Sequence, residues 1–163
     1  MASTFAVSET YGDQGSPTTA DTTYLNLLST NTASGADTTT NTLAAPITIP
    51  SGADVYSYER YTRGHWTGTF TSISNVKFWK SAGTPGTGLT LNAGDKGNQT
   101  YATAVDTSSA IATSAIPTSQ GAGLALAYAT AFCDYAVVQL VVANTAGSGY
   151  MATITYSYGW DEI

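Results

Sequence analysis

The fold is decided near the C-terminus, by the stretch Gly149-Tyr150-Met151-Ala152-Thr153-Ile154-Thr155-Tyr156-Ser157-Tyr158. After Gly149, the even positions have aromatic or aliphatic side chains, and the odd positions have hydroxyl-bearing side chains together with Met151. Successive side chains of a strand point to opposite faces. The alternation therefore predicts a strand over Tyr150–Tyr158 with one aromatic-aliphatic face and one hydroxyl-rich face.

A second strand is predicted just before it, over Asp134–Asn144. Its even positions from Ala136 to Val142 are all apolar, and its odd positions are also mostly apolar apart from Gln139. Apolar residues on both faces indicate a central strand that is covered on both sides. The Gly- and Ser-containing segment Thr145–Gly149 predicts a hairpin that would pair this strand antiparallel with Tyr150–Tyr158.

Shorter alternating stretches recur through the rest of the chain, separated by turn-forming residues. They predict strands at Thr4–Thr10, Ile47–Ile49, Val55–Arg63, Leu89–Leu91 and Thr100–Val105. The segment Gly12–Asp21 is predicted to be a loop, Thr23–Leu28 an apolar element, and Ser108–Ala115 either a loop or a short helix.

The block His65–Ser81 contains a break in its alternation. Trp66, Val76 and Phe78 share even parity, whereas Ile73 falls on the odd positions with threonines. A bulge or tight turn within Ser72–Asn75 would restore Ile73 to the apolar face. The side chain of Trp79 is then expected to point away from that of Phe78.

These features predict an all-β protein with a single antiparallel β-sandwich domain over residues 1–163, either jelly-roll or immunoglobulin-like. Long polar loops connect the strands. The segment 1–42 ends in a Thr/Asn/Ser/Ala-rich stretch, Thr30–Thr42, that is too polar to bury. We interpret 1–42 as a candidate N-terminal arm and loop region.

The composition narrows the classes of function. Charged residues make up 10% of the chain, and the net charge is −6. An acidic chain is a poor match for nucleic-acid phosphates, so we expect no nucleic-acid partner. No apolar run reaches membrane-spanning length and no secretory signal is visible at Met1–Val7, so we expect no membrane association. A surface with few charges can pack against other subunits without burying many charges, so we expect a component of an assembly rather than an isolated monomer.

The basic residues are unevenly distributed. Apart from Lys96, they fall within one short region. One interpretation is a solvated strand pair, and the other is a basic patch that docks an acidic partner. The candidate docking residues are Arg60, Arg63, His65, Lys77, Trp79 and Lys80.

The sequence offers little for catalysis, and we predict no catalytic residues, no bound metal and no cofactor. Cys133 is the single cysteine and His65 the single histidine, and nothing in the sequence brings them together. The carboxylates have no spacing typical of a glycosidase pair. Loop aspartates (Asp13, Asp21, Asp37 and Asp95) give a weak calcium signal, and Asn98-Gln99-Thr100 matches a glycosylation acceptor that we attribute to chance.

The aromatic residues allow a different interpretation. Trp66, Trp79, Trp160 and the eleven tyrosines match the aromatic platforms of carbohydrate-binding modules. They equally match a sandwich core and subunit interfaces, where Tyr and Trp are enriched. We favour the core and interface interpretation.

Three segments carry a resemblance to a known class of protein: Ile73–Ser81, the Gly/Thr loop that follows it through Leu91, and the tail Thr155–Ile163. In these segments the chain resembles small structural proteins of tailed phages, of the β-sandwich capsid-decoration or minor-capsid type. It implies a non-enzymatic virion component, made in the host cytoplasm, that binds copies of itself and a major capsid or other virion protein. It carries over no catalytic residues.

The leading hypothesis is therefore a virion structural protein that docks on a protein lattice, with the arm 1–42 adding a strand to a neighbour. It predicts that deleting 1–42 abolishes lattice binding and leaves the sandwich folded. The alternative is a carbohydrate-binding or adhesin module of a fibre or surface protein, in which replacing Trp66 or Trp79 would abolish sugar binding. A small hydrolase that depends on His65 is a distant third.

Overall fold

A computed structural model describes residues 3–33, 47–97, 100–148 and 152–163. Secondary structure in these residues is built from strands, and no α-helix occurs among them. The strands are β1 (Thr4–Tyr11), β2 (Thr18–Asp21), β3 (Val55–Tyr56), β4 (Arg60–Thr67), β5 (Ile73–Ala82), β6 (Leu89–Lys96), β7 (Ser114–Ala115), β8 (Leu124–Ala125), β9 (Tyr128–Ala129), β10 (Phe132–Cys133), β11 (Tyr135–Val142) and β12 (Thr155–Glu162).

The strands form two antiparallel sheets. The large sheet has the order β2-β1-β4-β11-β6-β7, with β3 pairing β11 and the β9–β10 hairpin pairing β4. The small sheet has the order β12-β5-β8. Side chains from both sheets share one core, so the all-β antiparallel sandwich predicted from the alternation is confirmed.

The core between the sheets is built from the apolar positions that the pleat directs inward. Trp66 on β4 and Val138 on β11 meet Val76 and Phe78 on β5. The even positions of β12 add Tyr156, Tyr158 and Trp160, which are partly buried against the same cluster. The aromatic face predicted for the C-terminal strand is therefore confirmed, although the strand begins at Thr155 and continues through Glu162.

A second, smaller core lies on the opposite face of the large sheet. Tyr61, Tyr135 and Val137 pack there beneath Tyr101 and Ala104 of the segment 100–113. Gln139 holds this covering segment in place through its side-chain amide. Its Nε2 donates to the carbonyls of Val105 and Thr107, and its Oε1 accepts from the backbone N–H of Ser109. The prediction that β11 is covered on both sides is thus confirmed.

The predicted hairpin between the last two strands is wrong. β11 pairs β3, β4 and β6 in the large sheet, whereas β12 pairs β5 in the small sheet. The intervening connection crosses from one sheet to the other. β11 already has neighbours on both sides, so no edge of it remains for β12.

Other segments also differ from expectation. Thr18–Asp21 is strand β2, within the predicted loop Gly12–Asp21, whereas Ile47–Ile49 and Thr100–Val105, both predicted as strands, are irregular. Ser108–Ala115, predicted as a loop or a short helix, consists of bends and a loop that end in β7. Thr4–Tyr11 pairs with both β2 and β4, so the first part of the predicted arm is an internal strand of the large sheet. Residues 34–46, 98–99 and 149–151 lie outside the described residues; with them lie most of the Thr-rich stretch, Asp37, the Asn98 acceptor site and the start of the strand expected at Tyr150.

The predicted bulge is present on β5. Asn75 has a φ of 51°, and the pairing with β12 shifts there, because Lys77 faces Gly159 whereas Ser74 faces Asp161. The extra residue returns Ile73 to the buried face with Val76 and Phe78. Asparagine is one of the residues that tolerate this left-handed conformation.

Candidate interaction surface on the small sheet

Arg60, the first of the candidate docking residues, is not on the surface. Its side chain is 1% exposed, and Nη1 lies 3.3 Å from Oε1 of the equally buried Glu9. The guanidinium also donates to the carbonyls of Thr30 and Thr32. Burial lowers the pKa of Arg60, and Glu9 opposes that shift. Arg60 is therefore a structural ion-pair partner that ties the segment after β2 to the large sheet.

Arg63 and His65 lie on the outer face of the large sheet. The guanidinium of Arg63 lies over the rings of Phe132 and Tyr135, 4.1 Å and 4.6 Å from their centroids. His65 Nδ1 lies 3.7 Å from an Asp21 carboxylate oxygen at the end of β2. Both residues are half-buried and contact their own chain.

Lys77, Trp79 and Lys80 belong to the small sheet instead. Lys77 and Trp79 alternate with the buried Val76 and Phe78, so their side chains project from the outer face, as predicted for Trp79. Lys80 has the inward parity, lies near the end of β5, and its Nζ donates to the carbonyl of Gly83. The six residues thus divide between the two sheets and do not assemble into one basic patch.

The outer face of the small sheet has an aromatic centre. A Cβ atom at Gly159 of β12 would lie 3.1 Å from the Trp79 ring and 2.8 Å from Nε2 of Gln120. The indole and the amide therefore lie against a strand position without a side chain. Ser157 is paired with Trp79 across the two strands, and its Oγ lies 2.7 Å from the Oγ of Ser81. The sequence analysis missed Gly159 and Gln120, although an isolated glycine within a strand is a signal of close approach.

The edge beside this face is the long strand β12. β12 pairs with β5 only, and no described backbone group outside β5 hydrogen-bonds to the backbone of Thr155–Glu162. The other terminal strands of the described sheets are shorter: β2 has four residues, and β7 and β8 have two each. β12 is therefore the longest strand edge that the described part of the chain leaves unpaired.

The direction of the β12 backbone groups follows from the ladder. Lys80 donates its amide to Pro117, and Val76 accepts from Leu126, so the backbone at alternate β5 residues points away from β12. Directly opposed residues of an antiparallel pair either exchange both hydrogen bonds or direct both groups away. Tyr156 and Tyr158, which face Lys80 and Phe78, accordingly point their N–H and C=O groups toward the unpaired edge.

The charged side chains are unevenly distributed along this edge of the small sheet. Asp161 and Glu162 lie at the end of β12, whereas Lys80 lies opposite Tyr156 near its beginning. Glu162 accepts two hydrogen bonds from Ser3, which lower the pKa of its carboxyl group. One end of the edge is therefore acidic, and near the other end a lysine lies on the neighbouring strand β5.

Most of the potentially reactive side chains make contacts within the chain itself. Cys133 is fully buried in the core and accepts a hydrogen bond from the Gly64 amide, and burial raises the pKa of its thiol to about 12. His65 projects from the other face of the same sheet, so the two do not meet. Glu59 is buried and accepts hydrogen bonds from Tyr61 and Ser109.

The remaining candidates are distributed as follows. Trp66 is 1% exposed in the core, which excludes it from a sugar platform; Trp160 stacks on Phe5 and is partly buried.

Within the described ranges, no group of three or more His, Cys, Asp or Glu residues is arranged to hold a metal ion. Burial, together with the Asp134 charge, raises the pKa of Asp95. Among the described residues, no helix is long and apolar enough to cross a membrane.

The fold and this surface define a class of protein, the antiparallel β-sandwiches. No family model matches the chain, and neither the curated proteins nor the solved structures contain a match.

Proposed function

We propose that this protein is a non-enzymatic structural component that associates with copies of itself and with a protein lattice, as a decoration or minor capsid protein of a virion does. The observation that carries the proposal is the open edge of β12, next to an outer face centred on Trp79. Unpaired strand edges present rows of donors and acceptors to other chains, and monomeric proteins usually shorten or guard them.

The rest of the surface is consistent with this role. The chain has few charged residues, so a partner can cover much of its surface without burying many charges. The deeply buried polar residues Glu9, Arg60 and Gln139 already have partners within the chain. A rigid body with an accessible edge reinforces a shell passively, because a protein that binds only the assembled state stabilises that state.

The experiment is a binding assay with the capsid protein encoded nearest to this gene, supplied both as assembled shells and as free subunits. We expect the purified chain to sediment with shells and to raise their melting temperature. Trp79→Ala should weaken binding if the outer face of the small sheet contacts the lattice. Thr48→Ala, an exposed position away from that sheet, is the matched control. Failure to bind shells at any ratio contradicts the proposal.

A second candidate function, carbohydrate binding, is favoured by one observation. The Trp79 indole and the Gln120 amide both lie against Gly159, and Ser157, hydrogen-bonded to Ser81, is paired with Trp79 across the strands. An aromatic ring with amide and hydroxyl neighbours suits a sugar that presents both C–H and O–H groups. A glycan array distinguishes the two functions. Specific binding that Trp79→Ala abolishes would support the carbohydrate role, whereas no binding on the array leaves the structural role as the better explanation.

A further inference from the structure

We propose that two copies of this protein pair through their β12 strands, antiparallel and about a two-fold axis at Gly159, to form one continuous six-stranded sheet. This inference rests on the proposed assembly role and names the partner and the surface. The partner is a second copy of the chain.

The backbone supports a self-complementary register. Tyr156 and Tyr158 direct their N–H and C=O groups to the open edge, and the alternation along β12 gives Trp160 and Glu162 the same direction. With the axis at Gly159, Tyr156 of one copy faces Glu162 of the other, and Tyr158 faces Trp160. All four residues of β12 whose backbone groups point to the open edge then face a residue of the other copy.

The charges favour the antiparallel arrangement. A parallel pairing would place Asp161 and Glu162 of the two copies side by side, and like charges directly opposite each other destabilise a strand pair. The antiparallel pairing instead places Glu162 of one copy opposite Tyr156 of the other, one strand away from Lys80. The acidic end of each edge thereby meets the end of its partner that has Lys80 on the adjacent strand β5.

The size of the sheets supports the same conclusion. The small sheet has three strands and faces a large sheet whose main path has six. Joining two small sheets gives six strands, within the common range for sheets. An isologous two-fold contact also closes on itself, so it uses up the exposed edge without forming open filaments.

The edge lacks the usual protective features. β12 contains no proline and no lysine, and both register shifts in its pairing with β5 place the extra residue on β5 rather than on β12. Its acidic residues are confined to the last two positions, Asp161 and Glu162. Nothing in the strand itself therefore opposes pairing with a second copy.

The test is the mass of the purified full chain in solution, measured by light scattering and sedimentation equilibrium over a range of concentrations. We expect a concentration-dependent mass that reaches twice 16.8 kDa and no larger species. In the proposed register Ser157 of one copy faces Asp161 of the other. Ser157→Asp should therefore weaken dimerisation by roughly tenfold, since two like-charge pairs form across the axis.

The controls separate charge at the edge from charge elsewhere. Ser81→Asp adds the same charge on the same face, one strand away from the edge, and should leave the dimer much less affected. Adding Asp161→Lys to Ser157→Asp should restore dimerisation by creating opposite-charge pairs. Equal weakening by Ser81→Asp, or no restoration by the double variant, would overturn the register.

Hydrogen exchange gives a measurement that needs no variant. The amides of Tyr156 and Tyr158 should exchange more slowly as protein concentration rises. A mass of 16.8 kDa at every concentration, open-ended aggregates, or exchange independent of concentration would overturn the proposal. A monomer that binds shells would refute the dimer and keep the proposed lattice binding, whereas a dimer that does not bind shells would support the dimer and refute the lattice binding.

Discussion

The indole of Trp79 lies across Gly159 on the neighbouring strand, so a Cβ atom at Gly159 would come within 3.1 Å of the ring. The contact explains why β12 carries a glycine between Tyr158 and Trp160, where a β-branched residue would ordinarily favour the strand. It fixes the orientation of Trp79, which forms the centre of the candidate interaction surface.

Gly159→Ala should therefore destabilise the protein, by about 1 kcal/mol, because the ring and the Gln120 amide must move to admit the methyl group. Urea unfolding measures the change. Gly121→Ala is the matched control: a Cβ there meets no atom within 4 Å, so its effect should stay within about 0.5 kcal/mol. Equal effects of the two substitutions would show that Trp79 does not press on Gly159.

The buried ion pair between Arg60 and Glu9 predicts a larger effect. Glu9→Gln leaves the Arg60 charge in the protein interior with only carbonyl partners, and should lower the free energy of unfolding by about 3 kcal/mol. Asp54→Asn, at an exposed carboxylate, should change it by less than about 0.5 kcal/mol. The check is chemical denaturation of each variant.

A double variant separates the pair from its surroundings. Replacing both Glu9 and Arg60 with methionine removes both charges, so the loss should be smaller than the sum of the two single losses. Additive losses would contradict a direct interaction between these side chains.

Removal of the N-terminal strands tests the revised role of the arm. Deleting residues 1–21 removes β1, which pairs β4 along seven residue positions, together with β2. We expect the truncated chain to lose cooperative unfolding, monitored by near-ultraviolet circular dichroism. A truncation that stays folded would instead support the prediction that the N-terminal region is an arm that the sandwich does not need for folding.

The buried thiol predicts a pH dependence. The pKa of Cys133 is raised from 9.0 to about 12 by burial, so between these values the folded protein keeps a proton that the unfolded chain has lost. The free energy of unfolding should consequently fall as pH rises from about 9 to 12, and this group should have no effect below that window. Burial also raises the pKa of Tyr61 and Tyr156, which adds to the fall.

Cys133→Ala should reduce the slope of stability against pH between 9 and 11, while the tyrosine contribution remains. Iodoacetamide should label Cys133 slowly at pH 8 in the native protein and rapidly in urea, since the folded thiol is protonated and inaccessible. Fast native labelling would contradict the burial.

The covering segment 100–113 depends on Gln139. Gln139→Ala removes its hydrogen bonds to Val105, Thr107 and Ser109, and should cost about 2–4 kcal/mol because buried backbone groups lose their partners. Hydrogen exchange should rise first in 103–113. Unchanged exchange there would mean that Tyr101 and Ala104 hold the segment without the amide.

The sequence could predict the local features of this fold. The pleat has a period of two, so the alternation of apolar residues predicted which side chains of β12 face the core. It also predicted that both faces of β11 are covered and that Phe78 and Trp79 point in opposite directions. The break at Ile73 predicted a bulge or a tight turn within Ser72–Asn75, because one extra residue restores parity locally, and the structure has the bulge at Asn75. These properties depend on residues adjacent in the chain.

Only the tertiary structure decided which strands are neighbours and which polar residues are buried. β12 pairs with β5 rather than β11, Arg60 is enclosed with Glu9, and Lys77 is separated from Arg63 by the thickness of the sandwich. Each outcome depends on contacts between residues far apart in the chain. Alternation assigns a side chain to a face, but the partner across that face is chosen by the packing of the whole molecule.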